Sequence, residues 1–370
     1  MKVTSRQAEQ MDILSRLLLP LRSGASEGRA PANQDQIAGA VRDAGSLGAP
    51  EMQDFFELAN THHVIVRALE VLREAALGSE QELARRCSLA LADERSRIER
   101  AVGFLHSICS RLEARGCEVA VIKSLDHWPD LGSDLDLYTT SDESEIQRAM
   151  QQEFNAQPVE RSWGDRLAHK WNYSVPGLPE LVEIHVQYLG QTGEHAEIAR
   201  RVIERGTVKS VGGYEFRVPA AEERIVISTL QRVYRHFYFR LCDMVDSAQL
   251  LQSGVLNFGE LKRSADSAGI WPGVATYLCL VQNYVRSYGG NVSLPDEVKE
   301  AAYSPDAMVY FQDGYLRVSK GTGMKLYSSQ LLEAGRRGDV RALLRLPLLP
   351  PLAVSALVAH SLTGNDKGIW

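Results

Sequence analysis

The chain has 370 residues, 44% hydrophobic and 24% charged, which is ordinary for a soluble globular protein and enough for a sizeable core in about two or three domains. A formal net charge of −6 argues against a broad nucleic-acid footprint, which needs basic patches to neutralise phosphates, and leaves a small molecule or a protein as the expected partner. The five cysteines, Cys87, Cys109, Cys117, Cys242 and Cys279, contain no Cys-x-x-Cys pair; they suggest neither a zinc site nor a disulfide framework and fit a reducing cytoplasm.

No secretory signal is expected at the start, because Met1 to Met11 is polar and the run Leu17-Leu18-Leu19 is broken by Pro20. Ser23 to Asp35, rich in Gly, Ala, Ser and Pro, reads as a flexible link. Apolar residues then recur at threes and fours, first Phe55, Leu58, Ile65, Leu69 and Leu72, later Ile98, Val102, Leu105, Ile108 and Leu112. This spacing predicts packed amphipathic helices over 50–115. The adjacent His62 and His63 cannot share one helix face and are read as capping or packing groups rather than metal ligands.

Glu118 to Ile122 reads as a buried strand that ends at Lys123-Ser124-Leu125, so polar groups emerge where ligands of such sheets bind. After Gly132-Ser133, the stretch Asp134-Leu135-Asp136-Leu137 alternates. Asp134 and Asp136 share one strand face while the leucines enter the core, and two carboxylates that close repel unless a cation sits between them. A helix over Ser141–Glu153, a strand over Leu167–Val175, a Pro176-Gly177 turn and a strand over Leu181–Val186 follow. The last puts Glu183, His185 and Gln187 on one face, with Glu183 completing a metal cage and His185 beside it as an outlying or surface histidine. This order predicts a small mixed sheet with helices on one side.

Val208 to Val218 predicts a hairpin around Gly212-Gly213. A helical stretch opening at Val218-Pro219-Ala220-Ala221-Glu222 runs through His236 to Arg240, Asp243 and Asp246, whose spacing suits an intrahelical salt-bridge network. Further helices are expected over Asn257–Ser267, Pro272–Tyr288 and Ser328–Gly338, with a short hairpin around Gly314. The apolar run Leu343 to Ala359 is interrupted by Pro347, Pro350 and Pro351, so it predicts a docking or packing segment rather than a membrane span.

Three of these features together, Val121-Ile122-Lys123-Ser124, Ser133-Asp134-Leu135-Asp136-Leu137 and Val182-Glu183-Ile184-His185, resemble the motifs of the polymerase-beta-type nucleotidyltransferase superfamily. More narrowly they resemble uncharacterised bacterial nucleotidyltransferase-like proteins, over roughly residues 50 to 255. The resemblance implies an α+β fold, with a small mixed β-sheet nucleotidyltransferase core over 118–220. An N-terminal helix and link over 1–49, a helical lead-in over 50–117 and a C-terminal helical region over 221–370 would flank it.

The resemblance further implies metal-dependent transfer of a nucleotidyl group from an NTP to an unidentified small-molecule, peptide or protein acceptor, with release of pyrophosphate. Two magnesium ions (Mg2+) would be held by Asp134, Asp136 and Glu183. Lys123 would contact the phosphates rather than a structural ion-pair partner, helped by Ser124 or, in the alternative alignment, Ser133. Relatives carry Gly where this chain has Ser124, to let backbone amides approach the phosphates; Gly at 124 is therefore expected to be tolerated. The departure keeps open a non-catalytic nucleotide-binding or scaffold protein that retains the fold.

Overall fold

The computed structural model describes residues 5–20, 31–78 and 80–352 and positions 354, 355 and 358. Helices α1 (Ser5–Leu18), α2 (Pro31–Gly45), α3 (Ala49–Thr61), α4 (Ile65–Ala76) and the 34-residue α5 (Gln81–Ala114) lead in. Their apolar stripes are the ones the spacing predicts: α4 buries Ile65, Leu69 and Leu72, and α5 buries Ile98, Val102, Leu105, Ile108 and Leu112. The link expected over Ser23–Asp35 is helical from Pro31 onward, where proline opens α2; its earlier part lies outside the described residues.

The core sheet contains β1 (Val119–Val121), β2 (Asp134–Thr139), β3 (Gln157–Pro158), β4 (Lys170–Ser174) and β5 (Leu181–Val186) in the order β1-β2-β5-β4-β3. Only β2 and β5 run parallel, with Asp136 opposite Glu183; the other pairings are antiparallel. The crossover between them carries α6 (Glu143–Phe154) and α7 (Trp163–Leu167) as well as β3 and β4, because a parallel pair cannot be closed by a tight turn. Leu135, Leu137, Val182 and Ile184 are fully buried, the apolar half of each strand's alternation. The strand expected from Leu167 begins only at Lys170, since Ser162 and Asp165 form a capping box that makes Trp163–Leu167 a helix.

Past the sheet come α8 (Ala196–Glu204), then β6 (Thr207–Val211) and β7 (Tyr214–Val218), a hairpin turned at Gly212 and Gly213 with φ +59° and +83°. The stretch read as one helix is broken. Helix α9 (Ala221–Thr229) widens into a π-helical segment at Leu230–His236, Phe237 turns left-handed at φ +55°, and β8 (Tyr238–Phe239) precedes α10 (Leu241–Ser253).

Helices α11 (Phe258–Ser267), α12 (Trp271–Ser287) and α13 (Asp296–Ala301) follow, and β9 (Tyr310–Gln312) and β10 (Tyr315–Arg317) form the Gly314 hairpin that pairs with β8. Helix α14 (Lys320–Arg337) starts before the predicted Ser328 because Ser319 caps it. After α15 (Val340–Arg345), Leu346 is buried against Ala334 and Ala342, whereas Leu344, Leu348, Val354 and Val358 of the same apolar run are exposed. The whole is α+β. No helix among the described residues is long and apolar enough to cross a membrane.

Candidate active site

Strand β1 is too short to reach the acidic strand's far end, and the chain leaves it through a tight turn. Lys123 takes φ +60°, and the Ser124 amide donates back to the Ile122 carbonyl at 2.6 Å. The left-handed strain thus falls on Lys123, not on Ser124, where the family pattern has glycine. Ser124 is 4% exposed. Its hydroxyl accepts from the Asp136 amide at 2.7 Å and donates to the Asp134 carbonyl at 3.2 Å.

That hydroxyl sets the backbone from which both aspartates project. Asp134 stands at the exposed start of β2, while Asp136 and Glu183 are mostly covered. The Lys123 ammonium is ion-paired with Asp136 and lies 3.4 Å from Glu183 Oε1. Lys170 donates to Glu183 Oε2 at 2.9 Å and reaches Asp165 at 2.8 Å. His185 Nε2 lies 2.8 Å from Glu183 Oε1 and 3.7 Å from Asp136.

The charges follow from these neighbours. Burial pushes the Glu183 carboxyl up, but Lys123 and Lys170 outweigh it and hold the group well below the usual carboxylate range. Burial likewise opposes the Lys123 charge, and the Asp136 and Glu183 carboxylates overcome it, leaving that ammonium firmly protonated. Asp134 goes the other way: burial, then the charges of Asp136 and Glu183, push it up to about 6. A cation shared among these carboxylates relieves that repulsion.

Asp136, Glu183 and His185 each offer a ligand atom within 4.8 Å of the others, a set able to hold a metal ion. The ammonium of Lys123 shows that the space between Asp136 and Glu183 accepts positive charge, and the carboxylate oxygens suit a hard divalent cation such as magnesium.

The rest of the lining is largely basic. Much of it comes from the π-helical turn and the start of α10: Arg232, Arg235, His236 and Arg240. Arg232 is spent on Asp243 at 2.7 Å. Among the described residues Arg235 and Arg240 have no ion-pair partner, and each has a buried Nε without a hydrogen bond. Burial and the nearby Arg235 hold the His236 imidazole neutral, well below its ordinary value. Acidic floor and basic wall enclose a cavity of about 250 Å3. Unpaired guanidinium groups facing a carboxylate cluster suit an anionic ligand that arrives with a cation.

All six residues singled out from sequence, Lys123, Ser124, Ser133, Asp134, Asp136 and Glu183, line this one cavity. Four readings change. His185 is buried within the acidic cluster rather than outlying. Gln187 leaves the strand face, because it turns at φ +63° and its amide reaches Asp142. Lys123 is held by carboxylates. Arg240, Asp243 and Asp246 form no network with one another: Asp243 pairs with Arg232 and caps the Arg240 amide, and Asp246 pairs with Arg67 and His127. The basic wall was missed, although Arg232-Val233-Tyr234-Arg235-His236 is a visible basic run. Lys170, alternating on its strand with Asn172, carried no signal.

A family described as an uncharacterised nucleotidyltransferase matches residues 49–286, more than half of the chain. No curated protein matches it.

Proposed function

We propose, for a chain that belongs to this family of uncharacterised nucleotidyltransferases, that the cavity binds an NTP with magnesium and transfers its nucleotidyl group to a small-molecule, peptide or protein acceptor. The observation that carries this reading is the meeting of carboxylates and unpaired guanidinium groups in the lining of one cavity. Asp134, Asp136 and Glu183 stand on adjacent parallel strands, and the unpaired Arg235 and Arg240 face the same cavity.

In this reading Asp134, Asp136 and Glu183 hold the magnesium, with His185 beside them. Bound magnesium supplies positive charge against the charge that develops on the phosphoryl oxygens. Arg235 and Arg240 take phosphate oxygens through charge-assisted hydrogen bonds. Lys123, paired here with Asp136, would be free to reach the phosphates if a cation took its place. The acceptor's oxygen attacks the α-phosphorus, the bond to the bridging oxygen breaks, and pyrophosphate leaves with that electron pair. The acceptor proton passes to solvent.

A smaller, mostly apolar cavity shares Lys123, Gln231 and Arg235 with the first and is lined also by His185, Ile122, Leu189, Ile227 and Tyr234. It is the natural seat for an apolar part of the acceptor.

A second reading, nucleotide binding without turnover, is favoured by the Lys123 ammonium, which already neutralises Asp136 and Glu183. Incubation of the protein with α-labelled NTPs, magnesium and cell extract separates the two. Turnover gives a labelled product that Asp136→Asn abolishes, whereas bare binding gives a magnesium-dependent thermal shift and no product. Arg235→Ala should weaken NTP affinity by about 10-fold or more at unchanged melting temperature.

A further inference from the structure

We propose that His63, His127 and Cys242 form a second metal site, for zinc, beside the acidic one and independent of the reaction proposed above. The three residues come from distant parts of the chain: the turn between α3 and α4, the loop between β1 and β2, and the first turn of α10. Their ligand atoms nevertheless lie within 4.8 Å of one another, and Cys242 Sγ is 3.7 Å from His127 Nε2.

The surroundings prepare each ligand. His127 Nδ1 lies 2.5 Å from Asp246 Oδ2. Since an ionised carboxylate only accepts, Nδ1 carries a proton, which leaves Nε2, on the side of Cys242, as the nitrogen a metal would take in place of a proton, the carboxylate–histidine arrangement that orients metal ligands. Asp246 is itself fixed by Arg67 Nη1 at 2.5 Å, and Arg67 by Asp130 at 2.7 Å.

His63 is held in the left-handed region at φ +51°, a conformation that costs energy for a residue with a Cβ. Its ring fits only because residue 132 is glycine: a Cβ there would stand 2.8 Å from the ring's Cε1. The His63 Nδ1 is buried and has no hydrogen-bond partner, which calls for an explanation in a folded protein. A metal supplies one.

A Cys-His-Asp nucleophile is the competing reading of the same atoms. Cys242 is fully buried and does not line the cavity, so a substrate cannot reach its sulfur, whereas a metal ligand needs no such access. One thiolate and two imidazoles are softer donors than the neighbouring carboxylates and select zinc over magnesium. Binding releases the thiol proton, and the fourth ligand finds room on the cavity side, which His63 and His127 line.

The test uses the full chain, stripped with a chelator and titrated with zinc against a chromophoric competitor, and separately with cobalt. The expected result is retention of a single tightly bound zinc, with a thiolate-to-cobalt charge-transfer band in the near-ultraviolet. Cys242→Ser should abolish the band, His63→Ala should weaken zinc binding by at least about 10-fold, and Asp136→Asn should leave both intact. Absence of stoichiometric zinc and of the cobalt band in the unaltered protein overturns the proposal whether or not the variants fold. So does a band that survives in Cys242→Ser.

Discussion

The Ser124 hydroxyl bridges the backbone of the acidic strand, accepting from the Asp136 amide at 2.7 Å and donating to the Asp134 carbonyl at 3.2 Å. Sequence comparison with the family pattern makes glycine at this position look harmless; the geometry reverses that expectation. Ser124→Gly leaves a buried amide without its partner, at about 1 to 3 kcal/mol, and adds chain freedom. Ser124→Ala should lose the first part alone. Chemical denaturation of the two variants checks this, and a Ser124→Gly variant as stable as the parent would show that the hydroxyl sets nothing.

The two aspartates of β2 should respond in opposite directions when metal is absent. Asp134 is crowded by like charge, which with burial pushes it up to about 6. Asp134→Asn should therefore stabilise the metal-free protein near neutral pH, by about 1 kcal/mol after solvent screening. Asp136→Asn removes a carboxylate paired with Lys123 and should destabilise it. Urea midpoints measured in a chelating buffer give both signs; a common sign would refute the pairing.

Lys123 is ion-paired with Asp136 and Glu183, and the proposed divalent cation would compete with it for the same carboxylates. Lys123→Met should lower the melting temperature of the metal-free protein, since breaking a buried pair costs about 3 to 5 kcal/mol. Added magnesium should recover more stability in the variant than in the parent. Lys123→Arg should not restore parental behaviour, because a planar guanidinium does not fill the place of a compact ammonium. Calorimetric melts with and without magnesium decide, and equal magnesium shifts would mean that ammonium and ion do not share a position.

Helices α8, α9 and α11 are joined by Arg201, which hydrogen-bonds Glu223 at 2.9 Å and is also paired with Glu260. The Glu260 carboxyl is pulled down to about 2, chiefly by its hydrogen bonds to Arg201 and Arg263. A depressed carboxylate stabilises the fold above its unfolded value and loses that contribution as pH falls toward the folded one. Glu260→Gln should thus cost about 1 kcal/mol near neutral pH, allowing for solvent screening, and progressively less below about pH 4.5. A cost that does not shrink on acidification, measured by urea titration at both ends, would show that charge is not what Glu260 contributes.

The strands bearing Asp134, Asp136 and Glu183 were legible because period-two alternation is a local property: each apolar neighbour that enters the core declares the opposite face. The long helices α4 and α5 were legible for the same kind of reason. Arg240, Asp243 and Asp246 were not, since helical spacing says which side chains share a face and nothing about Arg232, Arg67 or His127, which actually claim the two aspartates. The turn at Lys123 escaped notice because its strain sits one residue before the position where the pattern has glycine. His63, His127 and Cys242 carry no spacing at all. Their meeting depends on how α3, the β1–β2 loop and α10 pack, which no window of sequence contains.

The parallel register that sets Asp136 opposite Glu183 also has a consequence in time. A ribosome releases β2 long before β5, and the intervening crossover must be threaded before the two strands can pair. Until Val186 has emerged, the nascent chain carries an acidic pair with no third donor. Capture of the proposed cation would therefore be a late event of biosynthesis, and metal-dependent protection from proteolysis would then serve as a clock for completion of the sheet.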